Sequence, residues 1–169
     1  MHTVSLLVEN KPGALARVSN MFARRGYNIE SLAVGPTERH DVSRITLRVD
    51  CAQHSVEQIE KQIHKLVNVL RVRELEPGEA VERELALITV SAPPDRRAEL
   101  LTLTEVFAAR IVDVGPDALV FEVVGESEEL DSFEELVRSH GIRELARTGR
   151  IGLARASARP ARRPQHVLR

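Results

Sequence analysis

Apolar and polar residues alternate from His2 to Glu9, with Val4, Leu6 and Val8 on one face, which predicts a strand. After Asn10-Lys11-Pro12-Gly13 the period changes. Leu15, Val18 and Phe22, with Ala14 and Met21 beside them, recur at helical spacing. Pro12 suits a first turn, Arg24 and Arg25 favour the negative end of a helix dipole, and Gly26 is a stop, so a helix is expected over about 12–25. A second strand runs over 28–34 and ends at Gly35-Pro36. Ile45, Leu47 and Val49 alternate with Arg44, Thr46 and Arg48, which predicts a third strand with one wet face. Ser55-Val56-Glu57-Gln58 reads as a capping box opening a helix, with Val56, Ile59, Ile63 and Leu66 in one stripe. Residues 69–75 form a fourth strand, closed by Glu76-Pro77-Gly78.

The same order then repeats. Strands are expected at 85–92, 111–114, 119–124 and 142–146. Leu100, Leu103 and Phe107 mark one helix. Ser127 is expected to cap another, with Glu128 and Glu129 in its first turn and Leu130, Phe133 and Val137 inward. The fold class is therefore α+β, two tandem ferredoxin-like β-α-β-β-α-β units. The expected division is 1–77, 78–154 and a basic tail at 155–169, read as mobile because its five arginines come with Pro160, Pro164 and no periodicity. In such a unit the second and fourth strands are edges. The stretch 28–34 is apolar and carries only Glu30 as a charge, so it is expected to pair across a homodimer.

Composition narrows the function. Among 169 residues, 24 are Lys or Arg and 25 are Asp or Glu, giving a formal charge of −1, so a molecule-wide basic field for nucleic acid is absent. Aromatic residues make up 3% and Trp is missing, which disfavours base-stacking platforms. No apolar run reaches the roughly 18 residues that span a bilayer, and Met1-His2-Thr3-Val4 does not open like a secretion signal. Cys51 is the single cysteine, which rules out an internal disulfide and a thiolate zinc site. A soluble cytoplasmic protein, with no nucleic-acid or membrane partner, is expected.

Catalytic signatures are missing. There is no Gly-rich phosphate loop, no G-x-S-x-G elbow and no H-E-x-x-H. None of His2, His40, His54, His64, His140 and His166 lies a helical turn from another, and Cys51 reads as a small apolar residue rather than a nucleophile. The acidic run Glu126, Glu128, Glu129, Asp131, Glu134 and Glu135 reads as a solvated helix start rather than a cation site. What remains is the first strand-to-helix turn. Free amides at a helix start favour a carboxylate, expected over the amides of Gly13 and Ala14. Asn10 and Asn28 could face an amine, and Leu15 and Ile29 an apolar side chain, if the edge strand of a partner lies near the turn. The residues alone leave open that Asn10 only caps the helix and Gly13 only packs.

The stretch Leu7-Val8-Glu9-Asn10-Lys11-Pro12-Gly13-Ala14-Leu15-Ala16-Arg17-Val18 resembles the opening of an ACT domain, an amino-acid-sensing module. With Arg25-Gly26-Tyr27-Asn28-Ile29-Glu30-Ser31-Leu32, residues 58–70, Val81-Glu82-Arg83-Glu84-Leu85, Ile111-Val112-Asp113-Val114 and Arg147-Thr148-Gly149-Arg150-Ile151, it resembles the regulatory (small) subunits of acetolactate synthase. The resemblance covers residues 2 to about 155. It implies a non-catalytic chain that binds no cofactor itself. Its partner would be a catalytic (large) subunit using thiamine diphosphate, magnesium and FAD, which condenses pyruvate with a second 2-oxo acid in branched-chain amino-acid synthesis. It further implies activation of that partner and feedback inhibition by a branched-chain amino acid, usually valine, held between the ACT domains of a homodimer. The family's effector-site Asn, Gly and Ala fall on Asn10, Gly13 and Ala14, and its edge-strand Asn on Asn28. A free-standing ACT-type regulator and a small hydrolase on the same scaffold are the alternatives, and neither has a DNA-reading helix pair or a catalytic base to support it. The wet face bearing Arg44 and Arg48 is a candidate contact for the partner.

Overall fold

A computed structural model describes residues 1–51 and 55–157. The first unit runs β1 (His2–Glu9), α1 (Ala14–Arg25), β2 (Ile29–Pro36), β3 (Val42–Val49), α2 (Val56–Ile63) and β4 (Val69–Leu75). Its sheet has the order β2-β3-β1-β4, antiparallel throughout, so β2 and β4 are the edges as expected. Val4, Leu6, Val8, Ile45, Leu47 and Val49 point to one face and meet Val18, Phe22, Ile59 and Ile63 from the two helices.

α1 starts later than its apolar pattern suggests. Gly13 sits at φ 83°, a left-handed conformation that cannot belong to a right-handed helix, so Ala14 is the first helical residue. The buried stripe is Ala14, Val18 and Phe22, and Leu15 is left 39% exposed. At the far end Gly26 at φ 68° completes the stop, with the Tyr27 amide donating to the Phe22 carbonyl at 3.0 Å. α2 carries half of the expected capping box: Ser55 Oγ accepts from the Gln58 amide at 3.4 Å. It ends at Ile63, with Leu66 packed on the core beyond it.

The second unit runs β5 (Ala80–Ser91), α3 (Arg97–Phe107), β6 (Arg110–Val114), β7 (Ala118–Gly125), α4 (Ser127–Arg138) and β8 (Ile142–Arg147). Its order, β6-β7-β5-β8, repeats that of the first sheet. Ile88, Val90, Phe121, Leu130, Phe133 and Val137 centre its own core. Two features depart from the sequence reading. The cap of α4 is Glu126, not Ser127: the Glu126 side chain accepts from the Glu129 amide while the Glu129 carboxylate accepts from the Glu126 amide, at 2.7 Å. A ninth strand, β9 (Ile151–Ala154), pairs with the first four residues of β5, which itself begins five residues before the expected Leu85. Arg155, expected to begin a mobile tail, is tied down, its amide to the Glu79 carbonyl at 2.8 Å and its Nε to the Gly78 carbonyl at 3.1 Å. The expectation for the rest of the tail lies largely outside the described residues.

β9 and the segment before it lie across the helix-free face of the first sheet. Thr3, Ser5 and Thr46, which point away from the helices, are buried there, and so is Leu75. A side chain at Gly152 would come 2.6 Å from Leu75 Cδ1. A side chain at Gly149 would strike the Leu32 carbonyl, with the Leu32 carbon at 2.5 Å and the Ala33 nitrogen at 3.0 Å, so the chain at Gly149 lies directly over the Leu32–Ala33 peptide. The face read as wet is thus largely a seam between the two units.

Candidate functional site

The turn after β1 is built by short bonds to two neighbouring loops. The Glu9 amide donates to the Asn68 carbonyl at 2.9 Å, and the Asn10 amide to the Asp41 carbonyl at 2.8 Å. The Glu9 carboxylate accepts from Lys11 Nζ at 3.0 Å and Asn68 Nδ2 at 2.7 Å, and these two donors hold its pKa below the usual carboxylate range. Asn10 does not cap the helix. Its Nδ2 donates to the His40 carbonyl at 3.1 Å and so fixes the loop before β3.

The start of α1 therefore has no side-chain cap. The Ala14 amide donates back to the Lys11 carbonyl at 3.2 Å, so of the expected Gly13–Ala14 amide pair only Gly13 is unengaged. Among the described residues, the amides of Gly13, Leu15 and Ala16 meet no acceptor. Three bare donors beside the positive end of a helix suit an anionic group. Nothing lies within 4 Å of where a Gly13 side chain would stand, so the glycine is required by its φ and not by crowding, and the approach to the amides is open.

Asn28 and Ile29 lie elsewhere. Asn28 is exposed just before β2, and Ile29, half-buried, pairs with Val49, which also pairs with His2. The turn follows Glu9 at the other end of β1, seven residues and roughly 23 Å away at about 3.3 Å per residue. One chain does not bring Asn10, Gly13, Ala14 and Leu15 together with Asn28 and Ile29. Among the described residues β2 pairs only with β3, leaving its outer edge as a backbone template.

The seam holds a constellation that the sequence reading missed. Glu84 is buried on β5, where its carboxylate accepts from Arg147 Nε at 2.6 Å, Arg150 Nε at 3.1 Å and the Ser127 hydroxyl. Arg150 also reaches Glu82 at 2.7 Å, and Arg147 reaches Asp131. Burial pushes the Glu84 carboxyl up, but its three donors together outweigh burial and hold it below the usual carboxylate range. The signal was present: Glu84 is in phase with Ala86, Ile88 and Val90, so the inward face of β5 begins with a carboxylate that requires cations. Glu84, Ser127, Asp131 and Arg147, with Glu30, Ser31 and Arg48 of the first unit, line a groove of about 510 Å³.

Other candidates resolve into structure. Burial pushes the Cys51 thiol up, away from the lowered range of a nucleophilic thiolate. Five of the six acids of the α4 run are taken up, Glu126 and Glu129 by the cap, Glu134 and Glu135 by Arg138 and Asp131 by Arg147. Among the described residues, no three His, Cys, Asp or Glu side chains are placed to hold a metal ion, and no helix is long and apolar enough to cross a membrane.

Known proteins match both units. Residues 4–71 match the family described as the AHAS small subunit-like ACT domain, and residues 83–156 the one described as the small subunit of acetolactate synthase. The chain is 51% identical over 156 residues to a probable acetolactate synthase small subunit of Archaeoglobus fulgidus, covering 92% of this chain and 98% of that one. It is 46% identical over 154 residues to the acetolactate synthase small subunit of Mycolicibacterium smegmatis, covering 91% of each. The crystal structure of the acetolactate synthase small subunit of Thermotoga maritima superimposes with a TM-score of 0.84 at 40% identity, covering 91% of this chain and 96% of that one. The uncapped turn, the paired α+β units and the relatives' agreement over the full span of both place this chain in the acetolactate synthase small-subunit family.

Proposed function

We propose that this chain is a cytoplasmic regulatory subunit that raises the activity of a catalytic large subunit and makes it sensitive to a branched-chain amino acid, most simply valine. In this reading thiamine diphosphate, magnesium and FAD belong to the large subunit, and the present chain supplies no ligand to them. The observation that carries the reading is the pair of bare amides flanking Ala14, at Gly13 and Leu15, on an uncapped helix start. The open edge of β2 supports it. A two-fold pairing centred between Leu32 and Ala33 sets Ile29 of one protomer opposite Pro36 of its partner. Pro36 lies in register with Ser43 and hence with Val8, at the end of the sheet that bears the turn. The dimer would then join Asn10, Gly13, Ala14 and Leu15 of one protomer to Asn28 and Ile29 of the other. The effector carboxylate would meet the bare amides, and its side chain the half-exposed Leu15.

The test is reconstitution. The chain is added to the large subunit from the same source, and acetolactate formation is followed with and without millimolar valine. Stimulation reversed by valine is expected. Gly13→Asp should keep the stimulation and weaken inhibition by roughly 5–150-fold, the usual range of allosteric coupling, because its carboxylate would occupy the effector carboxylate's place. Gly13→Asn, which bears the same strain at φ 83° without the charge, separates charge from backbone. No stimulation with both proteins folded sinks the regulatory reading, and unaltered valine response in Gly13→Asp sinks the site.

A further inference from the structure

On the helix-free face of the first sheet, Arg44 of β3 and Arg71 and Arg73 of β4 line one pocket of about 120 Å³. The register explains the convergence. Arg44 and Arg71 both pair with Leu7, one on each side of β1, and Arg73 pairs with Ser5 two residues away. Leu153 and Ala154 of β9 border the pocket at its rim from the other unit, so it exists only where the two units meet. Arg44 is held in place, with Nη1 donating to the buried Ser5 hydroxyl at 2.8 Å.

These arginines differ from their neighbours in having no counter-charge. Arg48, on the same face, is paired with Glu30 at 2.9 Å. Glu9, the carboxylate at the end of β1, is engaged by Lys11 and Asn68. Arg39, Arg110, Arg138 and Arg143 each hold a carboxylate, yet among the described residues none lies within 4 Å of Arg44, Arg71 or Arg73. Arg44 and Arg73 are half-buried and Arg71 is exposed, and like charges gathered around one partly covered seam are screened less than in open water. The fold keeps three such charges around one small cavity. The space between the three guanidinium groups has room for a phosphate group. Guanidinium forks match phosphate oxygens, and three of them suit a dianion better than a single carboxylate.

We propose that this seam pocket binds a small phosphate, either inorganic phosphate or the phosphate of a small monoester. The full chain is titrated with inorganic phosphate, and separately with glycerol 3-phosphate, at constant ionic strength balanced with chloride. Binding is read by calorimetry and by the melting temperature. One saturable site per chain is expected, with a rise in melting temperature. Tighter binding of glycerol 3-phosphate identifies the monoester as the ligand class, and tighter binding of phosphate identifies the free ion. Arg71→Gln/Arg73→Gln should weaken binding at least about 10-fold, the equivalent of one charge-assisted hydrogen bond. Removing like charges should leave the unliganded melting temperature unchanged or higher, so loss of folding does not mask the result. Arg24→Gln/Arg25→Gln, at the far end of α1, should bind as the parent does. Absence of saturation, or equal weakening in both double variants, overturns the proposal in favour of diffuse charge. Failure to bind either probe, with weaker association of the Arg71→Gln/Arg73→Gln variant to the large subunit, overturns it and assigns these arginines to protein docking.

Discussion

Glu84→Ala should destabilise the second unit before the first. The side chain is 6% exposed and accepts from two guanidinium groups and a hydroxyl. Removing one partner of a buried ion pair typically costs about 3–5 kcal/mol, because the other charge is left without compensation. Here the loss is softened. Arg147 keeps Asp131 and Arg150 keeps Glu82, whose side chains are 63% and 21% exposed and therefore partly screened by water. A cost of about 2–4 kcal/mol follows, which in a unit of this size lowers the melting temperature by roughly 8–30 °C. Circular dichroism on heating reads it, and hydrogen exchange locates it. Protection should fall in β5, α4 and β8 before it falls in β1 and β3. Glu84→Gln keeps the shape and one acceptor, so its loss should be smaller.

The pH dependence gives a second check on the same residue. Because the folded carboxyl titrates below its unfolded value, its contribution is complete at neutral pH and is lost as the pH falls through the acid range. The gap in melting temperature between parent and Glu84→Ala should be constant from about pH 6 to 8 and shrink below about pH 4. A gap under about 2 °C at pH 7, or one that persists unchanged in acid, would refute the reasoning, since the ion pairs would then contribute nothing that the alanine variant lacks.

Three further outcomes follow from packing. Gly149→Ala places a methyl against backbone atoms of Leu32 and Ala33 that cannot turn aside, so residues 148–154 should lift at a cost of about 1–3 kcal/mol; hydrogen exchange should show lost protection there and at 31–33 while the Phe22–Ile59 core stays protected. Gly26→Ala meets open space, so only its left-handed φ of 68° opposes it, and a loss of about 1 kcal/mol in chemical denaturation is expected. Phe133→Ala removes a fully buried ring that meets Phe107 and Phe121 edge-on at centroid distances of 5.4 and 5.6 Å, and should cost about 3–5 kcal/mol by the same measurement.

Local chemistry made most of the fold legible. Alternation at Val4-Leu6-Val8 and punctuation at Gly26, Ser55 and Gly141 act within a few residues, and the two β-α-β-β-α-β units follow from them. The misses come from effects that act at longer range or by one dihedral angle. A single left-handed Gly13 delays α1 and turns Leu15 outward. β9 has its apolar residues, Ile151 and Leu153, facing solvent and a glycine facing inward, so its pattern is the inverse of an ordinary half-buried strand. The turn at Asn10–Gly13 was readable because a helix start is a local object. Its relation to Asn28 was expected only across a dimer, and within one chain the sheet does separate the two.

The seam was hidden for a physical reason that also bears on regulation. Strand alternation identified the residues facing away from the helices but not what covers them, and Thr3, Ser5, Thr46 and Arg44 look like a wetted surface. Small hydroxyls, Gly149 against the Leu32–Ala33 peptide and Gly152 against the Leu75 side chain make the contact, so it needs no apolar stripe. Among the described residues, Leu75 is the large apolar side chain buried there outside either core, which contributes about 1.5–3 kcal/mol. Each core, by contrast, gathers a dozen buried residues. Opening the seam therefore exposes far less apolar surface than unfolding either unit, so movement of one unit over the other is the expected low-energy change of shape. β2 stands on both sides of that motion. Its outer edge is where a second copy would pair, and its Leu32–Ala33 peptide lies under Gly149. A ligand that shifts β2 by a fraction of an ångström changes a backbone contact that has no slack, so Gly149→Ala should alter the response to an effector even though the residue lies far from the Asn10–Gly13 turn.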